Sequence, residues 1–520
     1  MQNCNLQSIS DLNGCSSLYY ISMFSNKNLT SLAGIEGSAM YKILGDSCNF
    51  IDISALNGIS NNGISTLEQL SLKNNTNLQN VDSISKCTKI NNLYLANCEN
   101  MNDAGVIKLE KIIMQCGTNY SLPQKYNMLF SNLTSYDYTS SRLTDTSREI
   151  TALKNKTKIE WLRLYGNSGL GNSRIAQLLK DGYLEINELN TIENNLILTE
   201  EQKNFINSLK NKGINAIKNM SDTEIQSMEN TNDIYIRYIL STLTGLKKLS
   251  IGGITNIKSL DFLNTVTGLY ELDIRNTGIS DISILEQKEL SLGTLAIDNP
   301  NLDLSTIQET LDRIYTNYRN GNDTKSVWNN SSYNWVNTAG LVLKNEDFTN
   351  SFKNCKTVSK LKINPEKNLD LTNCENLISL FATQGYVKTP NVRMNNVTCY
   401  YGVLDASQTP YIKNVNFGEN AKTETFISNL SNVAIEELSL SSVIFRDLSL
   451  LKNLKASKDT LTSIFNSSTY SSYYYREQTG DLSSLSEFTK LESIFFAGAK
   501  NSNILKGSSQ LKAVKLLNVS

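Results

Sequence analysis

The chain has 520 residues, with 49 basic and 50 acidic side chains, a net charge of -1 and no histidine. Without histidine there is no Ser-His-Asp or Cys-His site, no histidine general base and no histidine metal ligand. The balanced charge argues against a duplex nucleic-acid partner, which needs a basic face, and no run of apolar residues is long enough to span a bilayer.

Read from the start, the sequence repeats one phrase, L-x-x-L-x-L-x-x-N/C, in which other apolar residues replace Leu. Cys4 and Leu6 fit the ninth and eleventh positions of a unit whose strand is absent. Clear copies then open at Leu18, Leu67, Ile90 and Ile159, with a weaker one at Met40. Asn102 to Gly117, Ser173 to Gly182 and Thr199 to Gly213 carry a helical period, each with a capping residue at the start and Gly at the end. Copies resume at Leu246, Leu269 and Leu292, and a further helical period runs from Asp303 to Tyr318. Residues 321–337 are polar with embedded aromatics and read as a projecting loop. Copies follow at Val358, Ile412, Ile435, Leu491 and Leu511, a second aromatic loop is expected at 466–481, and 377–411 fits the phrase badly. The step from Leu67 to Ile90 recurs unchanged from Leu246 to Leu269 to Leu292 and from Ile412 to Ile435, a single period of about 23 residues. The intervals Ile90–Ile159 and Leu292–Val358 read as three steps each.

In each copy alternate apolar side chains of a short strand point inward, and the ninth residue satisfies backbone groups at the turn. One unit cannot bury its stripe alone; stacked units share a core. This is the leucine-rich-repeat signature, and it predicts an α/β solenoid. That solenoid is a curved horseshoe with a parallel β-sheet on its concave face and mixed helices, 3-10 turns and loops on its convex face. Residues 1–520 read as one array, cut mid-repeat at both ends. Four phrases after the turn share the form D-I/L-S-x-L: Asp52-Ile53-Ser54, Asp281-Ile282-Ser283, Asp447-Leu448-Ser449 and Asp481-Leu482-Ser483. They resemble internalin-like leucine-rich-repeat proteins of bacterial surfaces, whereas the helical units resemble those of the ribonuclease-inhibitor type. The internalin resemblance implies a surface or secreted module that binds a protein of a host or neighbouring cell.

Nine cysteines are present, and the eleven-residue spacings Cys4–Cys15 and Cys87–Cys98 suggest disulfides or a metal. Repeat phase accounts for them: Cys15, Cys87, Cys355 and Cys374 precede a strand by three residues, and Cys4, Cys48 and Cys98 occupy the ninth-position slot. Buried Cys acts there as a small apolar residue, so neither a metal nor a cofactor is expected. Unpaired thiols favour a cytoplasmic setting as the alternative localisation. Asparagine is abundant throughout, a bias with the look of AT-rich coding.

Binding residues are sought at the strand positions between the apolar ones, which have no packing duty. These offer Tyr19, Tyr20 and Phe24 on one strand and Tyr94 on another. Trp161, Arg163 and Tyr165 follow, then Tyr270, Asp273 and Arg275. Trp, Tyr and Arg dominate interface hot spots, so Trp161, Arg163 and Tyr165 form the expected anchor. The function expected is non-catalytic recognition of a protein, with carbohydrate binding or an intracellular scaffold as alternatives. No nucleic acid and no membrane insertion are expected.

Overall fold

The computed structural model describes residues 2–61, 63–130, 134–154, 156–228, 232–287, 290–320, 340–418, 429–440, 448–466, 482–497 and 510–517. The loop expected at 321–337 lies outside the described residues, as does the one at 466–481 except for Asn466.

Strand and turn in each unit follow from the repeating phrase. The fourth-position apolar residue enters the core, fully burying a side chain, for about 1.5–3 kcal/mol each. The strand must then turn, and the residue before the ninth position takes a left-handed conformation: Ser25, Ser47, Asn74 and Asn97 have φ of 59, 57, 61 and 62°. Asn and Ser tolerate that conformation better than branched residues. The ninth side chain bonds the turn from inside. Asn75 accepts from the Phe50 N–H at 3.0 Å and donates to the Gly45 and Leu72 carbonyls at 2.9 and 2.8 Å. Asn167 repeats the pattern with Leu143, Tyr138 and Leu164. Where the slot holds cysteine, the thiol donates instead: Cys48 to the Met23 carbonyl at 2.9 Å and Cys98 to Leu72 at 3.1 Å. The D-I/L-S-x-L phrases open the return half. Asp52 accepts from the Ser54 N–H and Asp281 from the Ser283 N–H, each at 2.8 Å, and a short helical turn follows. Asp447 and Asp481, which open the other two phrases, lie outside the described residues.

The chain divides into two compact units, residues 1–136 with 147–159, and residues 137–146 with 160–520. The first carries a five-stranded parallel sheet: Tyr20–Ser22, Lys42–Leu44, Gln69–Ser71, Asn92–Tyr94 and Tyr120–Ser121. Ile21, Ile43, Leu70 and Leu93 align across it and form its core row. The expected helical period after Asn102 is two short helices, Asp103–Ile107 and Glu110–Cys116, with the Asn102 side chain capping the first. The next strand places Tyr120 beside Leu93. That step is longer than the one from Leu70 to Leu93, because the two helices take up extra chain, so the phase of the phrase is not kept there.

The second unit is built on a long parallel sheet that includes the strands Trp161–Arg163, Lys248–Ser250, Glu271–Asp273, Thr294–Ile297, Gly340–Leu343, Lys360–Pro365 and Ser379–Ala382, and ends at Ala513–Leu517. Between Trp161–Arg163 and Lys248–Ser250 lies a helical insertion. The helices expected at 173–182 and 199–213 are Ile175–Asp181 and Glu200–Lys212, the latter opened by a Thr199–Gln202 capping box. Among the described residues the insertion holds four further helices that the sequence reading does not include: Glu188–Asn195, Ile214–Lys218, Asp222–Gln226 and Ile234–Ser241. The last is buried along its whole length, Arg237 and Ser241 included, so it lacks the solvent-facing polar side of a surface helix.

One reading of the spacing is corrected. The interval from Leu292 to Val358 holds two strand steps, not three, because Thr294–Ile297 pairs directly with Gly340–Leu343, which pairs with Lys360–Pro365. The extra length includes the helix Gln308–Asn320, which stretches one unit. At the second step the register also moves. Leu295 lies opposite Leu341, but Leu341 lies opposite Ile363 rather than Leu361. The slip is two residues, so the inward and outward faces are preserved. Beyond it, Leu361, Leu380, Val397 and Val415 form the core row.

The stretch 377–411 fits the phrase badly because its rungs are shorter. The steps from Leu380 to Val397 and from Val397 to Val415 both fall short of the step from Leu249 to Leu272. These rungs replace the helical return with strand. Leu369–Asp370, Tyr386–Lys388 and Val403–Asp405 form a second parallel sheet of three strands.

Candidate functional site

In the second unit, register brings three of the expected binding residues, Trp161, Arg163 and Asp273, onto two strands of one sheet with Lys248–Ser250 between them. Trp161, Lys248, Glu271 and Thr294 lie side by side, and Arg163, Ser250, Asp273 and Ala296 form the next row. Tyr165 and Arg275 sit two residues further along their chains.

At the centre is Asp273, fully buried. Its two carboxylate oxygens each accept from the Arg275 guanidinium at 2.8 Å, and one also accepts from the Ser250 hydroxyl at 2.9 Å. Such bidentate pairing fixes a guanidinium in plane. The Arg275 guanidinium lies over the Tyr165 ring, 5.4 Å from its centroid, a cation–π arrangement. Burial alone would weaken the Arg275 charge, but the Asp273 bonds outweigh it and raise its pKa above the ordinary arginine value. Asp273 therefore fixes the orientation of Arg275, which lies over the Tyr165 ring.

Two glycines, which nothing in the phrase singles out, let the tyrosines lie flat. A Cβ on Gly252 would stand 2.7 Å from the Tyr165 ring, and one on Gly293 would run into the Tyr270 ring. Flanking charges are matched in pairs: Arg163 with Asp137 at 3.4 Å, Lys248 with Glu271 at 2.8 Å and Lys247 with Glu160 at 2.6 Å. Trp161, Arg163, Tyr165, Tyr270 and Arg275 are all half-buried. The arrangement is a charge-paired, aromatic-rich face.

The remaining candidates, Tyr19, Tyr20, Phe24 and Tyr94, belong to the first unit. Tyr19 is 60% and Tyr20 48% exposed. The Tyr19 and Tyr41 rings stack at 5.1 Å with an interplanar angle of 5°. Lys42 stands over Tyr20 and Lys73 over Tyr94, each 5.7 Å from the ring centroid. Phe24 and Tyr94 are half-buried.

All nine cysteines are free thiols, seven of them buried. Burial pushes Cys87 and Cys98 up to about 11, and Cys374 and Cys399 up to about 12. Among the described residues no group of three or more Cys, Asp or Glu is placed to hold a metal ion. No helix among them is long and apolar enough to cross a membrane.

Parallel strands in phrase register, left-handed turn residues and an interior Asn/Cys ladder together define a leucine-rich-repeat solenoid. Among solved structures, the chain is similar to the functional domain of InlJ from Listeria monocytogenes, whose description includes a cysteine ladder. That match has 14% identity and a TM-score of 0.22, covering 87% of this chain and 63% of that one. The chain thus spans less than two thirds of that structure. It is also similar to a leucine-rich-repeat protein of Leptospira interrogans, at 12% identity and a TM-score of 0.25, covering 98% of this chain and 99% of that one. No protein-family model and no curated protein matches the sequence.

Proposed function

We propose that this chain is a non-catalytic recognition module that binds a protein through the outward sheet face of its second unit. The observation that carries the reading is the Asp273–Arg275–Tyr165 arrangement beside Trp161 and Tyr270. Interface hot spots are rich in Trp, Tyr and Arg, and affinity rises when such anchors are held in place before the partner arrives. A guanidinium locked by a buried carboxylate and backed by a ring is pre-organised in that sense.

Trp161 and Arg275 are the contact residues in this reading, with Tyr165, Tyr270 and Arg163 around them and Asp273 beneath. The cell surface or the extracellular space is the proposed location, motivated by the D-I/L-S-x-L phrases. The partner is a surface protein of another cell.

The test is an array of recombinant cell-surface ectodomains probed with the intact chain and with Trp161→Ala/Arg275→Ala. Each anchor lost should weaken binding by about 2 kcal/mol or more, roughly thirtyfold. An ectodomain bound equally well by the double variant would refute this site. Absence of any bound ectodomain, together with retained binding to printed glycans through Trp161, would replace the protein by a carbohydrate.

A further inference from the structure

We propose that the partner meets the face of the second unit with a short acidic segment, whose carboxylates dock on Arg275 and Lys248. This rests on the protein-binding reading above and names the chemistry of the partner. What carries it is the orientation of the two central ion pairs. In each, the carboxylate lies beneath and the cation lies outermost. The Asp273 and Glu271 side chains are 0% and 1% exposed, whereas those of Arg275 and Lys248 keep 16% and 23%. An approaching molecule therefore reaches two cations and neither of their carboxylates, although each pair sums to zero charge.

Both cations keep donors for such a ligand. The Asp273 bonds use Nε and Nη2 of Arg275, which leaves the two Nη1 protons uncommitted among the described residues. Lys248 donates one ammonium proton to Glu271 Oε1 at 2.8 Å and has two more. Asp273 is itself saturated, since its oxygens also accept from the Ser250 hydroxyl and the Arg275 N–H. The groups on offer are thus charged donors, and a carboxylate is the protein group that answers them most strongly. Each cation has an aromatic neighbour, Trp161 beside Lys248 in register and Tyr165 under Arg275, for the apolar residues around an Asp or Glu. The margins select against a longer anion. Asp137 and Glu160 carry the more open carboxylates of the face, set against Arg163 and Lys247, and Asp298 accepts from the Asn276 N–H at 2.6 Å. A polyanion would cross these carboxylates and needs a run of cations to bind. One or two acidic residues in an otherwise neutral segment meet only Arg275 and Lys248, and like charge at the margins excludes the rest.

A phage-displayed library of random peptides, panned on the intact chain, tests it. Peptides retained by the intact chain but not by Trp161→Ala/Arg275→Ala are expected to be enriched in Asp and Glu next to apolar residues. Synthetic copies with each acid changed to its amide should bind roughly tenfold more weakly, by a ratio that shrinks as salt is raised. Lys248→Met/Glu271→Gln, neutral at both positions, should erase much of that ratio, and Arg275→Lys should keep most of it. The acid-to-amide comparison uses the unaltered chain, so it stands even where a variant unfolds. Face-dependent peptides without acidic enrichment, or amide copies that bind equally well, overturn the acidic segment and leave the protein-binding reading standing. Recovery of no peptide that depends on Trp161 or Arg275 overturns both. Face-dependent retention of dextran sulfate in place of any acidic peptide overturns the proposal in favour of a polyanion.

Discussion

Asp273 and Arg275 form a buried ion pair whose two charges depend on each other for stability. Asp273→Ala strips the guanidinium of two 2.8 Å bonds and the Ser250 hydroxyl of its acceptor. Breaking a buried ion pair by removing one partner costs about 3–5 kcal/mol. The Arg275 side chain retains 16% exposure and keeps some hydration, so the lower end, about 3 kcal/mol, is expected. Arg275→Ala strands a fully buried carboxylate, and about 4 kcal/mol is expected. Asp273→Leu/Arg275→Met removes both charges and fills the space, so it should cost no more than about 1 kcal/mol. Made as Asp273→Leu and Arg275→Met, the single variants close the cycle, and losses of about 3 and 4 kcal/mol against about 1 kcal/mol for the pair give a coupling of about 6 kcal/mol. Urea melts followed by tryptophan fluorescence measure it, since Trp161 reports from the same sheet face. Single-variant losses that simply add in the double variant would refute the argument that this pair is one device. The cycle also separates stability from recognition: the Leu/Met variant should be stable yet fail to bind, because the presented cation is gone.

Three other outcomes are expected. Asn75→Ala leaves the Phe50 N–H and two carbonyls unsatisfied inside the turn and should destabilise by roughly 3 kcal/mol; Asn75→Cys should be milder, because Cys98 fills the same slot in the next unit. A thiol reagent should titrate Cys4 and Cys15 quickly in the folded chain and the other seven cysteines only on unfolding; rapid reaction of Cys374 would contradict its burial. The folded chain should also be alkali-sensitive. Burial raises the Cys374 thiol from 9.0 to about 12. The folded state thus holds a proton that the unfolded chain has already lost. Stability is full below about pH 9 and falls as pH rises toward 12, and Cys374→Ala should make that fall shallower in pH-dependent urea melts.

The core of this fold was legible in the sequence because its chemistry repeats. Leu70, Leu93, Leu249, Leu272 and Leu295 stand where the phrase puts them, and the ninth-position Asn and Cys bond the turns as their slot requires. Legibility failed where the repeat was replaced by something with another period or none. The helix Ile234–Ser241 is buried along its whole length, Arg237 included, so no exposed polar face sets it off in the sequence. The rungs around 377–411, from Leu380 to Val397 to Val415, are too short for a template set by the step from Leu67 to Ile90. At the candidate face, the phrase picks out Trp161, Tyr165 and Arg275 as free of packing duty. It gives no sign that Asp273 is buried beneath them, or that Gly252 and Gly293 clear space for the rings. Those depend on which strand lies next, which only pairing decides.

The two-sheet rungs have a mechanical consequence. A solenoid pulled by its ends opens one unit at a time, because each unit is held only by its neighbours. From Leu361 to Leu380 and from Leu380 to Val397 each rung is hydrogen-bonded to the next along both the main sheet and the smaller one. A peeling front must break two ladders there to release the short stretch from Leu380 to Val397. Between Leu249 and Leu272 it breaks one ladder and releases more chain. In a single-molecule pull this segment therefore acts as a stop. The sawtooth spacing shortens, the force per peak rises, and it is the last part of the second unit to let go.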